Sequence, residues 1–207
     1  MAEFTTIAAF RDLTEPERKL IAACRAGKPC ILGDGTRPEA PSPQCTIRAD
    51  LLRLLILGGS KDCGLHDHGV ALGGAYVTGS LRLDFATAKG QTLLCDSAFT
   101  DEISAHQARL NLFSLEGSKL PGGLVAQGAE VTGDVFLRNG FHATGEVSVH
   151  GAKIGGQLNC EGAHFDNPNG DALVAQGLRV DQGFIWQEVT VDNGNLRFGS
   201  AHVGDLS

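Results

Sequence analysis

The chain has 207 residues, 42% of them hydrophobic, and a net charge of −7; this length suits one core with a small additional segment. No apolar run approaches the roughly 20 residues of a membrane span. The start, "MAEFTTIAAFRDLTEPERK", lacks a basic stretch followed by an apolar one, so no secretory signal is expected and the default compartment is cytoplasmic.

Residues 1–60 carry 8 basic and 7 acidic side chains, and residues 61–207 carry 9 and 17. The second part is therefore acidic and lacks the clustered Lys and Arg that direct binding to a nucleic-acid backbone requires. In a cytosolic chain the six cysteines are expected as thiols, not as a disulfide framework.

In chain order, Thr14 followed by Glu17 forms a capping box, and Gly27 is a stop, so a helix is predicted between them with Leu20, Ile21 and Cys24 on one face. "GDGTRPEAPSPQC" (33–45) reads as a Pro-rich connector. "IRADLLRLLILGG" then predicts a second helix ending at Gly58-Gly59, apolar nearly all round as a buried capping helix is. Residues 1–60 thus read as a helical N-terminal cap, and residues 61–207 as a repeat domain. "CGLHDHG" (63–69) is the one dense cluster of ligand-type side chains. Cys63, His66 and His68 are candidate metal ligands, since alternate residues of an extended segment point the same way; the competing reading is a polar loop.

From residue 74 a repeat sets in. "GAYVTGSLRL" (74–83), "GAEVTGDVFL" (128–137) and "GAKIGGQLNC" (151–160) share Gly-Ala-x-Val/Ile-x-Gly-x-Leu/Val-x-Leu/Cys, and "GFHATGEVSV" (140–149) follows it more loosely. "LVAQG" returns after 49 residues, and the same offset pairs Val147 with Leu196, Val149 with Phe198 and Ile154 with Val203. Alternating apolar positions predict strands, and a Gly inside each unit (Gly79, Gly133, Gly145, Gly155) predicts a corner. Units start 11 to 12 residues apart, so two make one coil and the offset spans two coils. The predicted fold is an all-β solenoid, a right-handed parallel β-helix with an N-terminal α-helical cap; a β-sandwich with Asn-Gly hairpins at 139–140 and 193–194 is the competitor.

The spacing resembles β-helix proteins of the pentapeptide-repeat and bactofilin type. "GAEVTGDVFLRNGF…GAKIGGQLNCEGA" is more closely similar to an uncharacterised bacterial repeat family often labelled membrane-associated oxidoreductase. The chain carries neither a Gly-x-Gly-x-x-Gly after a strand nor a Cys-x-x-Cys, so its residues do not point to that activity.

Among the repeats, Cys95 and Cys160 are expected inward as small hydrophobes, Trp186 inward and Phe136 outward. His142, His150, His164 and His202 fall at outward or turn positions. The carboxylates Glu130, Asp134, Glu146, Glu161, Asp166, Asp171 and Asp181 recur once or twice per unit, as exposed turns favour. "FDNPNGD" (165–171) exceeds its sister segment by four residues and predicts a bulging loop, with Asn167, Asn169 and Asp171 as a candidate contact patch. "NLRFGSAHVGDLS" stops in mid-repeat, which suggests a longer protein, end-to-end pairing or a partner over the last coil. The expected function is a non-catalytic structural or protein-interaction module, with no cofactor, that binds a protein partner or itself through the C-terminal coil. A carbohydrate-active β-helix enzyme and a DNA-mimicking inhibitor of a DNA-binding enzyme are the alternatives.

Overall fold

The structure is a computed structural model describing residues 6–205. It is a parallel β-solenoid of about six turns with two short helices. Each coil has four faces, and most faces hold a strand of only two residues. In one coil these are Phe113–Ser114, Lys119–Leu120, Leu124–Val125 and Glu130–Val131. In the next they are Val135–Phe136, His142–Ala143, Val147–Ser148 and Lys153–Ile154, each parallel to the strand before it. Such strands bury nothing alone, and stability comes from stacking.

Stacking builds apolar columns. On the first face Leu72, Leu94, Leu115, Leu137 and Cys160 lie one above another, all 2% exposed or less. On the third, Leu81, Ile103, Leu124, Val147 and Leu173 do the same. The 49-residue offset is two coils, since Val147 pairs with Leu173 and Leu173 with Leu196. Cys160 is fully buried, as its place in the repeat predicts, but Cys95 is not. Leu94 takes the inward position beside Cys95, whose thiol lies within hydrogen-bonding reach of the Ser114 hydroxyl. All six cysteines are free thiols.

The corner between the third and fourth faces repeats one backbone conformation. Phe85, Gln107, Gly128, Gly151, Gly177 and Ser200 follow one another in ladder register with φ of 56°, 49°, 64°, 62°, 64° and 57°. Glycine adopts this region freely, whereas a bulky residue does not. Phe85 nevertheless occupies it while 70% exposed, with its ring edge against His106 at 5.2 Å. Phe85→Asn is therefore expected to stabilise the fold by roughly 0.5–1 kcal/mol, because Asn tolerates the left-handed region and little burial is lost. A urea midpoint lower than wild type would show that the ring contact outweighs the strain.

The first helix, α1 (Glu15–Ala26), has the capping box of Thr14 and Glu17 and ends at Gly27 in the left-handed region. Leu20, Ile21 and Cys24 are its buried face. Helix α2 (Ala49–Leu57) ends at left-handed Gly58 and buries Leu51, Leu52, Leu54, Leu55 and Ile56. It packs below the strand Leu81–Arg82 and receives the Lys89 N–H on its Ile56 carbonyl, 2.9 Å away. The connector between the helices joins the ladder itself. Cys30–Ile31 pairs with Gly69–Gly73, and Thr46–Arg48 pairs with Tyr76–Thr78. No helix among the described residues is long and apolar enough to cross a membrane.

Candidate functional site: the C-terminal coil

The last coil is built from the end of Arg179–Ile185, from Thr190–Arg197 and from His202–Asp205. It pairs on one side only: Thr190–Arg197 with His164–Val174, and His202–Asp205 with Arg179–Ile185. Among the described residues its outer edge has no ladder partner. Its inward positions continue the apolar columns as Phe184, Trp186, Val191, Leu196 and Val203, with Phe198 beside them. Here they are only partly covered, and Leu196 and Phe198 remain 39% and 37% exposed. The aromatic rings close over the column in part. Trp186 stacks on Phe165 at 5.5 Å and meets Phe184 at 5.5 Å and Phe198 at 5.9 Å. Trp186 thus lies inward as the repeat predicts, whereas the uncovered Leu196 and Phe198 become visible only when the coils are stacked.

The stretch 165–171 continues as irregular strand within His164–Val174, with shifts of register against Thr190–Arg197. Asn167 donates through Nδ2 to the Asp171 carbonyl at 2.8 Å. Asp171 accepts from Asn195 Nδ2 and pairs with Arg197 at 2.6 Å, which holds its carboxyl below the usual range. Asn169 stands exposed at the bend, and its backbone N–H reaches the Asn167 side chain. The predicted contact patch therefore brings one outward side chain, Asn169, and two that tie the bend to the last coil.

The carboxylates do not form a bare acidic row. Glu130 lies between Lys153 (3.0 Å) and Arg109 (3.6 Å). Asp134 accepts the Gln157 N–H. Two histidines of adjacent coils, His142 and His164, stack in parallel at 4.2 Å. His164 pairs with Asp192 at 2.7 Å. Burial, the neighbouring His164, and the charges of Lys119 and Arg37 push the His142 imidazole below its ordinary range.

Cys63 is buried at the end of a short helical turn, Lys61–Cys63. His66 and His68 are neighbours, with rings 4.3 Å apart. The His68 backbone N–H donates to His66 Nδ1, and the ring Nδ1 of His68 lies 3.1 Å from the Gly27 carbonyl. Among the described residues no group of three His, Cys, Asp or Glu side chains is placed to hold a metal. The segment also contacts the end of α1, with the His66 backbone N–H on the Cys24 carbonyl at 3.0 Å and Arg25 Nε on the Cys63 carbonyl at 2.9 Å.

The described residues form a parallel β-solenoid with a helical cap over its first coils and a last coil that pairs on one side only among them. Comparison with family models, curated proteins and solved structures finds no match for the chain.

Proposed function

We propose that the chain is a non-catalytic structural module that pairs with a second copy of itself through the C-terminal coil. The supporting observation is the difference between the two ends. At the N-terminal end the columns finish under α1 and α2, where Leu20, Leu51 and Leu52 are fully buried. At the other end Leu196, Phe198 and a backbone edge face outward. Edges of this kind recruit further strands unless they are blocked. A second open coil supplies both things the edge lacks, namely backbone partners and an apolar strip, in a two-fold arrangement. The ion pairs around Glu130 speak against DNA mimicry, which needs unpaired carboxylates along a face. The resemblance of the repeat to pentapeptide-repeat and bactofilin proteins belongs to this reading of a rigid scaffold.

Light scattering after size exclusion, over a concentration series, tests the proposal. A mass twice that of the chain is expected, falling on dilution, and Leu196→Asp with Phe198→Asp is expected to give a monomer. A wild-type monomer at every concentration overturns it, as does a dimer that the double substitution leaves intact.

A further inference from the structure

Between the connector and the second face lies a groove of about 680 Å³, a volume typical of small-molecule sites, which span roughly 300–1,000 Å³. Its floor is the outward side of the ladder, where Tyr76, Ala98 and Lys119 stand in register. Its wall is the connector at Arg37 and Glu39, and Asp96 and Asn139 line the corner. None of these belongs to the C-terminal coil.

The charges in the groove are unusual for an acidic chain. Arg37 donates through one nitrogen to the carbonyls of Gly117 (2.7 Å) and Gly140 (2.9 Å), so its guanidinium is fixed across two coils. Among the described residues no carboxylate lies within ion-pair distance of Arg37, and the exposed Lys119 side chain makes neither an ion pair nor a hydrogen bond. His142 follows Lys119 in the ladder, and its buried Nε2 has no hydrogen-bond partner. The groove also holds acceptors. The Asp96 carboxylate lies over Gly117, where any Cβ would collide with it, and Glu39 and Asn139 are close by.

We infer that this groove binds a sugar acid, a monocarboxylate carrying several hydroxyls, with its carboxylate on Arg37 and Lys119 and its hydroxyls on Asp96 and Asn139. Arginine and lysine together favour an anion, and hydrogen bonds to charged partners are the strong ones. Phosphate fits less well, because a dianion would face Asp96 and Glu39 and has few hydroxyls to donate to them. A sugar acid brings one negative charge and several donors, and its ring has an apolar face for Tyr76.

The chain has one tyrosine and one tryptophan. Tyr76 reports on the groove, and Trp186 on the C-terminal coil. The experiment is a nuclear magnetic resonance titration of the full chain, labelled at the tyrosine ring and the indole nitrogen. The probes are sodium glucuronate, glucose and sodium sulfate at matched ionic strength. Glucuronate is expected to shift Tyr76 saturably and leave Trp186 still, whereas glucose and sulfate move neither. Lys119→Gln, an exposed substitution, is expected to weaken binding roughly tenfold, the loss of one charged hydrogen bond. The inference falls if glucuronate leaves Tyr76 unmoved, if sulfate shifts it equally, or if Lys119→Gln binds as tightly as wild type. None of these results touches the pairing of C-terminal coils.

Discussion

Gly123→Ala is expected to destabilise the protein by about 3 kcal/mol, combining left-handed strain of about 1–2 kcal/mol with overpacking of about 1–3 kcal/mol. Gly123 has φ +77°, and a Cβ there would fall against the carbonyl oxygen of Glu146 in the next coil. That same oxygen accepts the Leu124 N–H at 2.9 Å. The methyl group would therefore break a ladder bond in the middle of the stack as well as strain the corner. Gly151 isolates the first effect, since it has φ +62° with nothing within 4 Å of an added Cβ. Gly151→Ala is expected to lose only the strain, about 1–2 kcal/mol. Urea unfolding followed by circular dichroism measures both, and equal losses would show that the approach of Glu146 is relieved by a small backbone shift.

Glu17→Ala is expected to lose a similar amount, also about 3 kcal/mol, toward the low end for breaking a buried ion pair. The Glu17 side chain is 1% exposed and Arg48 41%, so Arg48 turns to water when its partner is removed. One carboxylate joins three elements. It caps α1 by accepting the Thr14 N–H at 3.0 Å. It takes both Nε and Nη2 of Arg48 at 2.7 Å, and the Arg48 backbone N–H at 3.3 Å. Arg48 closes the strand Thr46–Arg48 and precedes α2. Burial pushes the Glu17 carboxyl up, but the bonds from Arg48 and Thr14 together outweigh it, and the group is held below its ordinary value of 4.5. A depressed carboxylate adds stability above its unfolded value and loses it as pH falls through the folded value. The wild type is thus expected to weaken in acid more steeply than Glu17→Ala. Parallel pH curves from the two proteins would place the pair outside the fold's stability.

The cap and the coil period were legible in the sequence for a local reason. Thr14, Glu17 and Gly27 act within a single helix, and Val147, Leu173 and Leu196 repeat because each must fill the same column. The corners at Gly79, Gly133 and Gly145 were legible and do separate successive strands, but the bounds of the faces were hidden, because a two-residue strand such as Leu124–Val125 is too short to mark its own ends. The connector's strands were hidden too, since Cys30–Ile31 adjoins a stretch rich in Gly and Pro. Of the C-terminal site, the inward Trp186 was readable from its place in the repeat. The exposure of Leu196 and Phe198 depends on what lies above them. The groove depends on Arg37 meeting Gly117 and Gly140, 80 and 103 residues away. No local pattern records such a meeting, whereas the stacked His142 and His164 are separated by one coil and were open to that reading.

The two helices also give the stack a polarity that matters in polymer terms. Helices α1 and α2 lie over the first coils, whereas the strand Thr190–Arg197 has a ladder partner on one side only among the described residues. In the pairing proposed above, each molecule would act as a chain terminator: two that meet by their C-terminal coils would leave no face for a third, and the product would be a closed pair instead of a filament.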